Sequence, residues 1–204
     1  MPLAPAKIAS ALSLPGRAVE ANWPLIVAAL EAQGIRSDLV EIAAAATVGT
    51  EVPGFEPISE IGGPEYLSRY DFNPGLGNTE PGDGVKFKGR GFVQLTGRSN
   101  YAAAGQALGL FLEDSPELAL EPETAAKVLA WFFRTRPDPI HSVATAADQQ
   151  DWLRVRRRVN GGLNGWERFH SLVGALCASI QMTPTTKTPT AGAGPGPSVE
   201  VSHG

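Results

Sequence analysis

The sequence predicts a mainly helical α+β domain with a small β-hairpin, followed by a tail without a core. Three observations predict it. Apolar residues recur at helical spacing through most of residues 5–180, whereas residues 92–96, bracketed by glycines, alternate as a strand does. After Met182 the composition turns to Pro, Thr and Gly. A domain of about 180 residues buries roughly 70% of its unfolded surface, enough for a real core. Residues 1–182 are therefore assigned to one domain and residues 183–204 to a disordered linker or tail.

Residues 5–34 read as helix in two or three pieces, interrupted at Pro15-Gly16, with Asn22 as an N-cap and Pro24 in the first turn after it. Leu25, Ile26, Ala29 and Leu30 mark an apolar face, and Gly34 ends the piece. Ser37 caps the next helix, whose Leu39, Val40, Ile42 and alanines suit close packing on its neighbours. That helix runs toward Glu51, and Pro53-Gly54 ends it. Residues 53–63 read as loop, and residues 64–70 as a short helix with Tyr66 and Tyr70 on one side. Residues 73–84 hold six Gly or Pro and read as irregular. In the strand over 92–96, Gln94 and Thr96 share a face. Helices then follow from Ser99 or Asn100 to Leu108, from Ser115, and over 122–136, 140–147 and 148–159. Asn160-Gly161-Gly162 breaks the series, and Asn164 caps a last helix to about Ile180.

Seventeen Lys and Arg against 21 Asp and Glu give a net charge of -4. That balance argues against a nucleic-acid partner, which wants clustered cations. The one basic run, residues 154–158, reads as a solvated helix face. Cys177 is the only cysteine, which excludes an internal disulfide, and it lies in the apolar pattern of Leu172, Val173, Leu176 and Ile180 as a buried thiol. His141, His170 and His203 lack ligand spacing, so neither a metal nor a cofactor is expected. No apolar run approaches the ~18 residues of a membrane span. Residues 8–14 after Lys7 make a poor signal peptide, so cytoplasmic synthesis is expected.

The chemistry concentrates in residues 82–101, GDGVKFKGRGFVQLTGRSNY. Gln94, Thr96 and Asn100 are uncharged donors and acceptors suited to a ligand rich in hydroxyl and acetamido groups, although the residues alone read equally as a polar hairpin. Residues 89–101 resemble the central motif of glycoside hydrolase family 19, which comprises plant chitinases and many bacteriophage endolysins. The Gly-Arg-Gly, Gln-Leu-Thr and Asn-Tyr pieces stand at matching spacing. The resemblance covers roughly residues 22–180, is strongest at 82–101 and 160–168, and implies a lysozyme-like fold with the hairpin beside a catalytic cleft.

Glycoside hydrolysis uses two carboxyl groups, one donating a proton and one activating water. Glu51, at the end of an alanine-rich helix, sits in a partly desolvated place suited to the donor, and Glu60 follows in a loop free to reach across a cleft. Glu56 lies in the same loop and is the rival for either role. The resemblance implies Glu51 as acid, Glu60 as base and the Thr96 hydroxyl as a holder of the attacking water. It also implies substrate contacts from Gln94, Asn100, Tyr101 and Asn160, and an Arg168 that pairs with carboxylates behind the site. Two departures stand out: Thr50 replaces a His found before the acid in many relatives, and Asn164 replaces the Glu of plant chitinases, as in the phage branch. Among the tryptophans, Trp23 and Trp131 read as core and Trp166 as the best sugar-stacking surface.

The expected function is therefore an endolysin-type hydrolase that cleaves the β-1,4 bonds of peptidoglycan with inversion, its carboxyls roughly 6.5–9.5 Å apart. A chitinase and an inactive wall-binding module are the alternatives. The expected partners are peptidoglycan strands and further endolysin domains in a longer parent chain, with the domain itself a monomer and no membrane insertion. The expected location is the host cytoplasm until lysis, then the cell wall.

Overall fold

A computed structural model describes residues 3–14 and 16–183. Residues 184–204, nearly all of the expected tail, lie outside the described residues, as do residues 1, 2 and 15. The helix that ends in Glu51, α3 (Asp38–Glu51), runs through the centre. Ser37 caps it, its hydroxyl accepting the Val40 N–H at 3.1 Å, and Asp38 and Glu41 suit the positive end of the helix dipole. Residues 40–49 are all buried. A helix buried on every side must let its neighbours come close, and four successive alanines allow that. Gly49 extends the effect: a Cβ there would lie 2.4 Å from Leu12 and 3.1 Å from Leu172.

Those two leucines belong to α1 (Pro5–Leu12) and α10 (Trp166–Ser179), which pack on each other, with α10 also lying along α3. On the other side, α2 (Gly16–Ala32) packs on α1 and on α7 (Pro122–Thr135), the most amphipathic of the long helices. The expected N-cap at Asn22 is corrected: α2 runs through it, with Pro24 inside the helix. Asn22 is buried and donates its amide to the Phe55 carbonyl at 3.0 Å. Glu41 is also buried, and its oxygens accept the Leu3 backbone N–H at 2.7 Å and the Arg36 guanidinium at 2.9 Å. A carboxylate is tolerated at 1% exposure only with such partners.

Beyond α3 a 3-10 turn, Pro53–Phe55, drops the Phe55 ring into the core between Trp23 and Phe92, 6.4 Å from each. Phe55 is fully buried and anchors the loop that carries Glu60; truncating such a ring costs about 3–5 kcal/mol. The chain then forms β1 (Ile58–Ser59), α4 (Pro64–Leu67), a 3-10 turn over Ser68–Tyr70, α5 (Asp83–Lys86), and β2 (Arg90–Gly91). β1 and β2 pair antiparallel, with Ile58 opposite Gly91 and Ser59 opposite Arg90. The expected strand over 92–96 is a tight turn instead. Arg90 and Leu95 exchange both backbone hydrogen bonds, at 3.2 and 2.9 Å, so residues 91–94 reverse the chain, with φ 82° at Gly91 and 52° at Gln94.

Three helices complete the fold: α6 (Arg98–Leu108), α8 (Val143–Asp148) and α9 (Trp152–Asn160), the last two packed on each other and on α3. Asn164 does not cap α10; Gly165 precedes it, and the Asn164 carbonyl accepts from Arg156 at 2.6 Å. Burial pushes the Cys177 thiol above its ordinary value, as suits a core position. The result is the expected fold class, mainly helical with one small sheet, and no described helix is long and apolar enough to cross a membrane.

Candidate active site

The small sheet, the end of α3 and the end of α9 enclose a cleft of about 770 Å³. Glu51, the last residue of α3, and Glu60, just beyond β1, both line it, with Thr96, Gln94 and Asn160. Glu56 is exposed and outside it, which removes the rival carboxylate from the cleft.

Pairing with β2 fixes Glu60. Its backbone N–H donates to the Gly89 carbonyl at 2.7 Å, and its Oε2 accepts the Gly89 N–H at 3.0 Å. Its Oε1 accepts the Tyr70 hydroxyl at 3.1 Å. Burial pushes the Tyr70 phenol above its ordinary value, Glu60's charge adds to that, and Arg69 opposes it. Gly89 is needed for close approach. A Cβ there would lie 2.8 Å from Gln94 Oε1 and 3.3 Å from both Glu60 Oε2 and Thr96 Oγ1. Glu60 Oε2 and Thr96 Oγ1 therefore lie close to one another beside the Gly89 backbone. The methyl of Gly89→Ala would crowd both oxygens, and this variant is expected to lower turnover at least about tenfold while the melting temperature moves by only a few degrees, as measured by steady-state kinetics and thermal denaturation.

Glu51 is shielded from solvent, and it is paired there. Its Oε1 pairs with Arg156 of α9, and the two side chains are only 9% and 3% exposed. The solvated reading of residues 154–158 fails at this position. Arg156 shares the buried face of α9 with Trp152 and Val155, at helical spacing, while Arg154 and Arg157 point to solvent. That spacing was the available signal. Thr50, where a His was the common alternative, donates its hydroxyl to the Ala46 carbonyl at 2.7 Å and lines the cleft through the rest of its side chain.

The expected substrate contacts divide. Asn160 ends α9 on the cleft wall. Gln94 lines the cleft too, but its amide nitrogen is committed to the Ile58 and Gly91 carbonyls at 3.1 and 3.0 Å, leaving Oε1 for a ligand. Asn100 does not reach the cleft: its amide donates to the Thr96 carbonyl at 2.7 Å and its oxygen accepts from Arg136. Tyr101 is fully buried, with its hydroxyl between Arg90 and the Lys88 carbonyl, and burial pushes its phenol up to about 12. Arg168 meets no carboxylate among the described residues; it donates to the Gly49 carbonyl at 2.9 Å, near the end of α3. Trp166 is half-buried against His170, 4.8 Å between ring centres, and away from the cleft. Asn100 and Tyr101 brace the motif from within and Arg168 ties α10 to α3, roles that spacing alone does not separate from ligand binding. Among the described residues no cluster of His, Cys, Asp or Glu suits a metal.

A family sequence model described as chitinase class I matches residues 64–160, the stretch from α4 to the end of α9. Over residues 64–160 the chain is thus similar to glycoside hydrolase family 19. The chain is 34% identical over 115 residues to a glycosyl hydrolase family 19 domain-containing protein of Haemophilus influenzae, covering 55% of this chain and 53% of that one. It is 47% identical over 95 residues to the acidic 27 kDa endochitinase of Solanum lycopersicum, covering 39% and 38%. The chain thus spans about half, or less, of the length of these curated relatives. Among solved structures, chitinase C of Streptomyces griseus superposes with a TM-score of 0.70 at 20% identity, covering 91% of this chain and 79% of that one. This likeness concerns the fold. The family 19 match begins after Glu51 and Glu60, so it leaves both carboxylates to be judged by their geometry.

Proposed function

We propose that this family 19 domain hydrolyses the β-1,4 glycosidic bonds of bacterial peptidoglycan as the catalytic module of an endolysin, by a general acid–base reaction that inverts the anomeric carbon. One observation carries it: Glu51 and Glu60, on separate elements, open onto one cleft, and Thr96 stands beside the second. A water bridging Glu60 Oε2 and Thr96 Oγ1 from the cleft side donates one proton to each. The Thr96 hydroxyl is free to accept because its own proton is committed to the Gln94 carbonyl, at 2.8 Å. Both protons of the water are then directed away from the substrate, and its lone pair faces the anomeric carbon. Glu60 takes the proton as the C–O bond forms, while Glu51 protonates the departing oxygen through Oε2, its other oxygen being held by Arg156. Arg156 stabilises the carboxylate that remains on Glu51.

Peptidoglycan is favoured by the Asn-Gly-Gly-x-Asn-Gly sequence at residues 160–165, which resembles the phage branch of the family. Chitin is the second reading, favoured by the chitinases among the relatives. Purified peptidoglycan and a chitin hexasaccharide are to be digested in parallel, with proton NMR recorded in the first minutes and mass spectrometry of the new ends. Release of α-anomers from peptidoglycan is the expected result. β-Anomers would replace the water step by a covalent one, an anhydro-muramyl end would make the protein a lytic transglycosylase, and turnover of chitin alone would select the second reading.

A further inference from the structure

Glu60 is held from two sides by donors. The Gly89 backbone N–H can only donate, whereas the Tyr70 hydroxyl could also accept. Arg69 fixes its direction. Arg69 Nη2 lies 2.7 Å from the Tyr70 oxygen, and a guanidinium has no acceptor. The phenol oxygen accepts from Arg69, so its proton turns onto Glu60. Arg69 is itself held in place: its guanidinium lies over the Tyr66 ring, 3.7 Å from the centroid, and donates to the Tyr66 hydroxyl. Tyr66 lines the cleft, Tyr70 is 7% exposed, and Glu60 Oε1 ends the chain of contacts.

We propose that Arg69 and Tyr70 are positioning residues for Glu60, with Arg69 acting through Tyr70, so that Oε1 is held as an acceptor and Oε2 is aimed at the water site beside Thr96. This deepens the acid–base reading and rests on Glu60 being the base. A free glutamate side chain samples many rotamers, and few of them place an oxygen beside Thr96. Hydrogen bonds to both oxygens select one. The arrangement also ties the base to the cleft wall, because the Arg69 that orients Tyr70 is the one stacked on Tyr66.

The ionisable groups around Tyr70 can be named. Glu60 comes from the end of β1, Arg69 from its own turn and Tyr66 from α4; α5, packed on that turn, brings Lys86 and an Asp83 already paired with Arg98. Glu60's charge raises the Tyr70 phenol and Arg69 lowers it.

The test compares Tyr70→Phe, Arg69→Ala, Arg69→Lys and the Tyr70→Phe/Arg69→Ala double variant with the wild type. On glycan substrate, Tyr70→Phe and Arg69→Ala are each expected to lower kcat about ten- to a hundredfold with KM within about twofold. Arg69→Lys should recover part of the loss, and the double variant should be no worse than the poorer single one. Additive losses, or a raised KM with kcat intact, would overturn the proposal. A second readout needs no substrate. Of the three tyrosines, the Tyr70→Phe variant identifies the Tyr70 component of tyrosinate absorbance against pH. Glu60→Gln should shift that component to lower pH and Arg69→Ala to higher pH. If neither moves, the coupling is refuted. If both move while the wild type cleaves neither peptidoglycan nor chitin, the positioning network stands and the glycosidase reading falls.

Discussion

Glu51→Gln and Glu60→Gln are each expected to reduce glycan hydrolysis at least about a hundredfold, the scale of losing a general acid or base. Glu56→Gln should stay within about twofold of wild type, since Glu56 is exposed and outside the cleft. Neither substitution adds volume, so circular dichroism should show the wild-type fold at room temperature, with a lowered melting temperature for Glu51→Gln because Arg156 then keeps only the Asn164 carbonyl. The two losses should also differ in kind. A substrate with a good leaving group, such as a dinitrophenyl glycoside, needs little help from an acid. It should restore turnover to Glu51→Gln and leave Glu60→Gln inactive. Rescue of the second variant alone would exchange the roles.

Arg156→Met is expected to cost about 3–5 kcal/mol, because it leaves the Glu51 carboxylate buried without its partner. For a domain of this size the melting temperature should fall by roughly 6–20 °C. The Glu51→Gln/Arg156→Met pair removes both charges and should recover most of that loss while remaining inactive. Thermal denaturation followed by circular dichroism separates the two outcomes. A single variant that melts within about 2 °C of the wild type would show that the pair contributes nothing measurable.

The helices were legible because burial imposes a period on the sequence: Ser37 begins α3 and Glu51 ends it, and Tyr66 and Tyr70 reach the cleft together. What failed failed for local reasons. Residues 92–96 have strand composition, but a positive φ at Gln94 and the Arg90–Leu95 bridge turn the chain before it can extend. Asn22 has the chemistry of a cap, yet a distant carbonyl, that of Phe55, claims its amide. At the site, the family motif located the cleft but did not tell which polar residues face it. Tyr101 and Asn100 adjoin Thr96 in sequence, but α6 turns them inward, toward Arg90 and Arg136. Arg156 was hidden by its basic neighbours, although its phase on α9 marked it as buried.

The contact between Arg156 and Glu51 joins residues 105 positions apart. During synthesis Glu51 and Glu60 emerge early, long before α9. Any nascent or truncated chain that stops short of residue 156 therefore lacks the Glu51 setting described above, and one that stops short of residue 160 lacks a wall of the cleft as well. Long-range closures of this kind form late, because the entropy of ordering the intervening chain must be overcome first. The proposed glycan-cleaving activity would therefore appear only in the finished domain, and partly made copies would carry the carboxylates without the means to use them.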